Sequence, residues 1–277
     1  MERIQVALER ARAKRGQGKK PAAPAAEGTK QSSIKGDSEL ATVWSELKPF
    51  EPDQDLLNEH KIPAFERNSL STPIDMLRTK VLQAMRDNGW SRLAITSPNA
   101  SCGKTTLSLC LAFSIARQPE QRVAVIEMDL RRPNVAASLG MPRGISQFSK
   151  ALEGRDPINE HLVRITDNML VGANLHSARN PSELLQSDTM REALDEVEQT
   201  YKPTITIFDM PPMLVSDDMM GFADSVDCTL LVAAAESTSI SEVDNCEREI
   251  AKRTNVLGIV LNKCRYMGKE YGYDYYS

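Results

Sequence analysis

Short apolar runs alternate with stretches of helical length along the chain from residue 91 onward. Continuous apolar runs bounded by turn residues are typical of buried strands, and the intervening stretches have helical spacing. The predicted strands are Arg92–Ser97, Val123–Met128, Met169–Gly172, Thr204–Phe208, Thr229–Ala234 and Val256–Leu261, and the predicted helices cover 104–117, 182–200 and 240–253. Strands that alternate with helices favour βαβ crossovers. The pattern therefore predicts an α/β fold with a mainly parallel sheet and helices on both faces.

The N-terminal part of the chain has a different pattern. Residues 2–15 place Ile4, Leu8 and Ala11 on one face at helical spacing, which predicts a short amphipathic helix. The segment that follows is rich in Gly, Pro, Ala and Lys, a composition typical of a mobile linker. Residues 1–36 hold nine basic and three acidic groups, whereas the whole chain has a net charge of −4. A basic arm therefore precedes an acidic body.

The composition is that of an ordinary globular protein, with 277 residues, 41% apolar and 26% charged. This length suits one large or two modest domains, and the apolar content excludes a fully disordered chain. The longest charge-free apolar stretch, Thr105–Ala116, is shorter than the roughly 18–20 residues that span a bilayer. The first residues lack the apolar core of a secretory signal. Because the sequence shows neither a bilayer-spanning stretch nor a secretory signal, we expect a cytoplasmic protein. Five cysteines without C-x-x-C spacing indicate neither a disulfide framework nor a zinc site.

The clearest chemical signal is the segment LAITSPNASCGKTT, in which an apolar strand leads into a loop of small residues that opens a long helix. A phosphate cradle needs this arrangement, because backbone N–H groups and the helix N-terminus then point at the anion. Lys104 is expected to reach the β- and γ-phosphates, and the Thr105 hydroxyl is expected to join the Mg²⁺ shell. Pro98 stands where the strict motif has its first glycine. The predicted nucleotide contacts in this loop are Ala100, Ser101, Cys102, Gly103, Lys104, Thr105 and Thr106.

Acidic residues end two of the other predicted strands. Asp209 follows the strand Thr204–Phe208, which predicts a holder of water-bridged Mg²⁺ beside the phosphate loop. Glu127 and Asp129 stand at the end of another strand, with Arg131 two residues beyond Asp129. The alternatives are a simple turn residue at Asp209 and a solvated acidic pair bonded to Arg131. Three acidic positions in this chain order after one Gly-Lys-Thr favour nucleotide binding.

Together these motifs resemble the bacterial protein-tyrosine kinases of capsule and exopolysaccharide synthesis, a family with a P-loop NTPase fold. The resemblance includes the phosphate loop, Glu127-Met-Asp129-Leu-Arg131, Asp209-Met-Pro-Pro, Asn180-Pro-Ser-Glu-Leu-Leu185 and the strand that ends at Asn262. The N-terminal helix and linker resemble those of the stand-alone cytoplasmic members, which pair with a separate membrane protein. The implied organisation is a basic helix and linker (1–36), an unassigned lead-in (37–69), a P-loop kinase domain (70–265) and a C-terminal tail (266–277).

The tail has an unusual composition. Five of the six tyrosines lie in the final twelve residues, at Tyr266, Tyr271, Tyr273, Tyr275 and Tyr276. A polar terminus with five hydroxyl acceptors suits a self-phosphorylating tyrosine kinase, and in the family this cluster is the autophosphorylation site. An aromatic-rich tail without a catalytic role is the alternative.

The resemblance implies ATP and Mg²⁺ as cofactors and specific roles for the site residues. The predicted catalytic residues are Lys104, Asp129, Arg131 and Asp209, and the predicted metal ligands are Thr105, Glu127 and Asp209. Asp129 is expected to orient or deprotonate the attacking tyrosine, and Arg131 to balance developing charge. Asn262 is expected near the adenine, with a strand-end cap as the equal alternative.

The resemblance also implies partners. The expected partner is a transmembrane polysaccharide co-polymerase or activator, which would recruit this cytoplasmic protein to the inner face of the plasma membrane. The family forms homo-oligomers, and no nucleic-acid partner is expected. The basic arm is a candidate for docking on the membrane protein or on anionic lipid, with a solvated linker as the alternative.

Two positions depart from the family pattern. Glu127 stands where the family usually has Asp, and Asp75-Met-Leu-Arg78-Thr-Lys-Val81 keeps only part of the Glu-x-x-Arg-x-x-Arg motif that builds rings. These departures support one alternative, a nucleotide-binding regulator with weakened catalysis. A second alternative is a dimerising ATPase switch like the division-site and partitioning ATPases. Asn99 argues against this alternative, because those proteins have a signature lysine at this position. The tyrosine-rich tail is a second argument, because such proteins need none.

Overall fold

The computed structural model describes residues 39–64 and 71–264. These residues belong to one compact unit, Ser38–Ser277. The predicted N-terminal helix and linker lie outside the described residues, and so do the predicted phosphoacceptors Tyr266, Tyr271, Tyr273, Tyr275 and Tyr276. Among the helices that are described, none combines the length and the apolar character needed to traverse a bilayer.

One sheet of eight strands runs through the described residues in the order β1-β4-β5-β3-β6-β2-β7-β8. The strands are β1 Lys48–Pro49, β2 Arg92–Thr96, β3 Val123–Glu127, β4 Leu162–Thr166, β5 Met169–Gly172, β6 Ile205–Asp209, β7 Cys228–Ala234 and β8 Asn255–Asn262. Every neighbouring pair is parallel except β4 with β5. The α/β fold with a mainly parallel sheet, predicted from the alternating pattern, is confirmed.

Helices pack on both faces of this sheet. The helices are α1 (39–45), α2 Gln54–Glu59, α3 Ser71–Asn88, α4 Lys104–Ala116, α5 Val135–Ser138, α6 Ser149–Leu152, α7 Ile158–His161, α8 Pro181–Leu185, α9 Asp188–Tyr201, α10 Asp218–Phe222 and α11 Ile240–Ile250. Successive residues of the central strands belong to different core clusters: Val123 and Val125 pack with α3 and α4, whereas Ala124 and Ile126 pack with α9 and α10. Burial on both faces explains why these strands are apolar throughout rather than alternating.

The lead-in that the hydrophobic pattern leaves unassigned packs against the core in its described part. Trp44 is 1% exposed, and its Nε1 donates to the carbonyl of Tyr201 at 2.8 Å. β1 then pairs with β4 at one edge of the sheet. Leu57 and Ile62 are buried in the cluster that contains α4. Residues 39–64 therefore contribute to the same hydrophobic core as the predicted strands.

Two parts of the fold differ from the predicted pattern. The stretch 182–200 is two helices rather than one, because Ser187 adopts an extended conformation and its Oγ accepts from the N–H of Met190, which starts α9 anew. The strands β1 and β4 are absent from the prediction. β1 has only two residues, and in β4 only the first two residues are buried, so neither has the continuous apolar run of a central strand.

Candidate functional site

The phosphate loop lies at the carboxyl end of β2 and leads directly into α4. Ser101 and Gly103 have positive φ angles of 62° and 90°, and these left-handed turns bend the loop back toward the helix. Gly103 is the N-cap of α4 and has no side chain with which to cap it. The first N–H groups of α4 therefore keep the hydrogen-bonding capacity and partial positive charge that bind an anion.

Two side chains at the start of α4 contact carboxylates at the ends of neighbouring strands. Lys104 Nζ donates to Asp129 Oδ2 at 2.9 Å, and the two side chains are 14% and 6% exposed. Thr105 Oγ1 donates to Asp209 Oδ2 at 2.7 Å, beneath the loop. Ser108 Oγ lies 3.1 Å from the other Asp209 oxygen. The lysine and threonine of the loop thus reach the acidic ends of β3 and β6.

Backbone pairing holds the two acidic strand ends together. Asp209 is paired with Ile95 on one side and with Glu127 on the other. Beyond the end of β3, the Asp209 carbonyl accepts hydrogen bonds from the N–H groups of both Met128 and Asp129, at 2.9 and 3.0 Å. The parallel register therefore sets the separation between the Asp129 and Asp209 carboxylates.

The buried charges change one another's proton affinity. Burial raises the pKa of Asp209 to about 6, although the Lys104 charge and the hydrogen bonds from Thr105 and Ser108 oppose the rise. Burial disfavours the charged form of Lys104, but the carboxylates of Asp209 and Asp129 outweigh this effect and raise its pKa. Lys104 therefore remains a cation in a cluster that carries a negative excess.

Glu127 lies under the site with its carboxylate turned toward backbone N–H groups. Its Oε1 accepts from Asn134 at 2.5 Å and from Val135 at 2.7 Å, and its Oε2 accepts from Asn174 at 2.7 Å. Burial raises the pKa of Glu127 to about 8, and these three hydrogen bonds oppose the rise. In this arrangement Glu127 fastens the start of α5 and the residues after β5 to the end of β3. Its assignment as a metal ligand stays a prediction.

Arg131 has a partner that the sequence analysis missed. Its Nε donates to Asp218 Oδ2 at 2.6 Å and its Nη2 to Asp218 Oδ1 at 3.1 Å. Ser182, at the start of α8, donates to the same carboxylate at 2.6 Å. The Asp218 side chain is 1% exposed, and although burial opposes ionisation, the bonds from Arg131 and Ser182 lower its pKa. Glu127 and Asp129 are buried, so the alternative of a solvated acidic pair bonded to Arg131 is wrong.

A cavity of about 510 Å³ opens above these groups. Its lining combines the loop and first turn of α4 with Asp129 and with basic groups on the rim, Arg131, Arg132 and Lys263. Of the predicted nucleotide contacts, the lining includes Ala100, Ser101, Gly103, Lys104, Thr105 and Thr106. Cys102 is turned away from the cavity: it is 2% exposed and its Sγ lies 3.6 Å from Thr238 Oγ1.

Hydrogen bonds to the edge strand β8 and to α11 hold the phosphate loop in place. Asn262 Nδ2 donates to the Cys102 carbonyl at 2.9 Å, and its Oδ1 accepts from the N–H of Lys263. Asn99 Nδ2 donates to Glu242 Oε1 at 2.7 Å, at the N-terminus of α11. Asn262 therefore acts as a brace and strand-end cap in this structure, and its contact with adenine stays a prediction.

The family model of the CobQ/CobB/MinD/ParA nucleotide-binding domain, CbiA, matches residues 93–271. The chain belongs to this family. The solved kinase domain of the Escherichia coli tyrosine kinase ETK is 30% identical with a TM-score of 0.65, over 77% of this chain and 85% of that domain. Among curated relatives, the putative tyrosine-protein kinase AmsA of Erwinia amylovora is 30% identical over 80% of this chain and 32% of its own length. Tyrosine-protein kinase etk of Escherichia coli K12 is 32% identical over 67% of this chain.

The chain spans about a third of AmsA and 25% of etk. The similarity therefore concerns the CobQ/CobB/MinD/ParA-type domain of these longer kinases. The family match agrees with the predicted P-loop NTPase fold and with nucleotide binding. The resemblance to bacterial tyrosine kinases, inferred from the motifs, is confirmed.

The Asp75 motif of this family member makes contacts within the chain. Ser114 Oγ donates to Asp75 Oδ1 at 2.6 Å, and Arg117 pairs with the same oxygen. Arg78 lies 3.4 Å from it and also donates to the Ser114 carbonyl at 3.1 Å. In the described structure, the acid and the arginine of the partial ring motif therefore link α3 to α4.

The hard oxygen atoms of Thr105 and Asp209 fit a magnesium ion. Mg²⁺ prefers one or two protein oxygens, with water and substrate phosphate completing its shell. The close approach of a hydroxyl and a buried carboxylate beside Lys104 provides such a pair. Asp218, Ser108 and Arg132 were not predicted as site residues. Ser108 lies one helical turn beyond Lys104 and Arg132 follows Arg131 directly, so the sequence held a signal for both, whereas no motif spacing connects Asp218 to the loop.

Proposed function

We propose that this protein is an ATP-dependent protein-tyrosine kinase that phosphorylates its own C-terminal tyrosines and regulates exopolysaccharide or capsule synthesis and export. The observation that carries the proposal is the pairing of Lys104 with Asp129 and of Thr105 with the buried Asp209, in which Lys104, Thr105 and Asp129 line one cavity. Similarity to domains of tyrosine-protein kinases supports the choice of reaction.

The chain's own residues divide the work of phosphoryl transfer. Lys104 and the N–H groups at the start of α4 hold the terminal phosphates of ATP, while Thr105 and Asp209 hold Mg²⁺. When bound, the metal ion neutralises charge on the phosphates. Asp129 lines the cavity and accepts or orients the proton of the acceptor hydroxyl. The bidentate contact with Asp218 positions Arg131 at the rim, where its charge faces the transferred group.

The acceptors in this proposal are Tyr266, Tyr271, Tyr273, Tyr275 and Tyr276. Lys263 lines the cavity and stands only three residues before Tyr266 along the chain. Phosphoryl transfer from the site of one copy to the tail of another is also compatible with this placement. Each phosphate adds about −1.5 to −2 charges at neutral pH, so repeated modification would strongly change the charge of the tail.

A second candidate function is a nucleotide-binding regulator with weakened catalysis. The observation that favours it is the engagement of both Glu127 oxygens by backbone N–H groups, which leaves metal binding to Thr105 and Asp209. The partitioning-ATPase alternative is less well supported, because Asn99 is bonded to Glu242 of the same chain.

We also propose that a transmembrane activator of the polysaccharide machinery recruits this cytoplasmic protein to the inner face of the plasma membrane. Residues 1–36 carry the excess of basic groups that would favour an anionic surface or an acidic partner segment. Deletion of residues 2–36 should reduce co-sedimentation with the activator or with anionic vesicles and leave ATP binding unchanged. Undiminished co-sedimentation would count against this role of the arm.

The kinase proposal is tested with Lys104→Met and a matched control, Lys252→Met, whose lysine is 64% exposed and pairs with Glu249 on the surface. Loss of phosphotyrosine by mass spectrometry in Lys104→Met, with normal labelling in Lys252→Met, supports the kinase. ATP binding by the wild type without any phosphotyrosine supports the regulator instead. Phosphotyrosine that is equal in Lys104→Met and the wild type refutes the catalytic assignment.

A further inference from the structure

A second cavity, of about 880 Å³, lies on the other side of the phosphate loop. Gly103, Thr106 and Lys263 line both this cavity and the first one. Lys104 and Asp129, by contrast, line only the first among the cavities of the described residues. The two cavities therefore adjoin at these residues, and a nucleotide with its terminal phosphates at Lys104 would extend past Gly103 and Thr106 to place its ribose and base in the second cavity.

The wall opposite the loop comes from the lead-in. His60, Lys61 and Pro63 line the second cavity, although they precede the phosphate loop by about forty residues. No motif in the sequence connects them with nucleotide binding. The structure brings them there because the chain passes from β1 through α2 and along the buried side of α4.

Several contacts hold this wall in place. Asp53 caps α2 by accepting from the N–H groups of Asp55 and Leu56 at 2.8 and 3.2 Å. The turn that follows has Lys61 at a φ of 58°, a left-handed conformation that a lysine rarely adopts. Ile62, 1% exposed, anchors the chain immediately after this turn.

A direct contact also joins the wall to α4. Cys110 Sγ donates to the carbonyl of Lys61 at 3.6 Å, one helical turn beyond Thr106. The position of Lys61 is therefore tied to the helix that carries the phosphate loop.

The loop side of the second cavity is lined by the polar residues Thr106, Glu236, Ser237 and Asn262. Asn262 uses Nδ2 for the Cys102 carbonyl and Oδ1 for the N–H of Lys263. The opposite wall provides an exposed ammonium group at Lys61 and a half-buried imidazole at His60. An ammonium suits the anionic and hydroxyl groups of a nucleotide, and a planar ring suits a purine face.

We propose that His60 and Lys61 are nucleotide-binding residues that contact the base and ribose side of ATP from the second cavity. The proposal deepens the proposed function and rests on its ATP-binding part. It makes the lead-in a component of the nucleotide site as well as of the core.

The test is direct binding of ATP and ADP, followed by displacement of a fluorescent ATP analogue from the full-length protein. Lys61→Ala should weaken ATP affinity about five- to tenfold, as expected for removal of one partly solvated charged contact. His60→Ala should weaken it by a smaller factor and reduce the preference for ATP over a pyrimidine triphosphate. The charge-matched control is Lys48→Ala, an exposed lysine of the same segment in β1, which should bind like the wild type.

The outcomes separate this proposal from the broader one. If the double variant His60→Ala/Lys61→Ala binds ATP as tightly as the wild type while Lys104→Met does not, the wall only packs and the proposal is refuted. If the wild type itself does not bind ATP, the proposed function fails first. Equal thermal unfolding of the wild type and the alanine variants would show that weaker binding is not caused by unfolding.

A second measurement tests the location independently of any variant at the wall. Cys264 is exposed and lines the second cavity, whereas Cys102, Cys110, Cys228 and Cys246 are buried. Saturating ATP with Mg²⁺ should slow alkylation of Cys264 several-fold, and inorganic triphosphate, which has no ribose or base, should not. Equal alkylation rates with and without bound ATP would place the base elsewhere.

Discussion

Replacement of Gly103 by alanine tests how the phosphate loop is held. A Cβ at this position would lie 2.3 Å from Asn262 Nδ2, well inside contact distance. The φ of 90° is also unfavourable for any L-residue. Gly144 provides a matched control, because its φ is 82° and a Cβ there would meet nothing within 4 Å.

The expected magnitudes follow from these two sources. Left-handed strain alone costs roughly 1–2 kcal/mol, so Gly144→Ala should destabilise the fold by about this amount. Gly103→Ala must in addition displace Asn262 and break its bond to the Cys102 carbonyl, for a total of about 2–3 kcal/mol. Asn262→Ala alone loses that bond and the bond from the N–H of Lys263, at a cost of about 1–2 kcal/mol.

Urea denaturation of the two single variants and the double variant gives the coupling between them. Because the same hydrogen bond is lost only once, the double variant Gly103→Ala/Asn262→Ala should be about 1 kcal/mol more stable than the sum of the single effects predicts. ATP affinity should fall in Gly103→Ala and partly recover in the double variant. Strictly additive free energies of unfolding would refute the reasoning, since they would mean that Asn262 does not contact residue 103.

Two further predictions concern the acidic groups. Asp218→Asn removes the carboxylate that anchors Arg131, so it should lower the free energy of unfolding by about 1–2 kcal/mol and reduce phosphotyrosine formation, while ATP affinity stays within twofold. The control is Asp217→Asn, at the exposed neighbouring residue, and equal kinase activity of the two variants would contradict the positioning role of Asp218. The pKa of Glu127 in the folded protein is raised to about 8 from an ordinary 4.5. Its contribution to the free energy of unfolding is therefore fully present below pH 4.5 and is lost as the pH rises toward 8. Glu127→Gln should flatten the fall in unfolding free energy between about pH 5 and 8, as measured by denaturant titration at each pH, and parallel curves for the two proteins would show that Glu127 does not titrate in this range.

The central strands could be predicted from the sequence because burial on both faces leaves a continuous apolar run. Val123–Glu127 and Met169–Gly172 agree with the predicted strands to within one residue. A strand of two residues, or one in which only the first two residues are buried, produces no such run. The edge strand Lys48–Pro49 and the antiparallel strand Leu162–Thr166 therefore depended on tertiary pairing that the sequence does not display.

The candidate site was predictable where its chemistry is local. Lys104 and Thr105 follow from their place between a strand and a helix, and Asp209 follows from its place at the end of a strand. The contact between Arg131 and Asp218 joins residues 87 positions apart. Asp217 stands next to Asp218 in the sequence, which gives no reason to choose either carboxylate as the partner of Arg131. Only the fold distinguishes the two.

The burial of α4 has a mechanical consequence. Ten of its thirteen residues are buried, so the helix lies inside the core on nearly all sides instead of presenting one face to solvent. Such a helix cannot slide or rotate without opening the tightly packed interior around it. The phosphate loop at its N-terminus is therefore attached to a part of the core that stays fixed while other segments move. We expect the displacements that accompany nucleotide exchange to fall on the exposed loops that surround it.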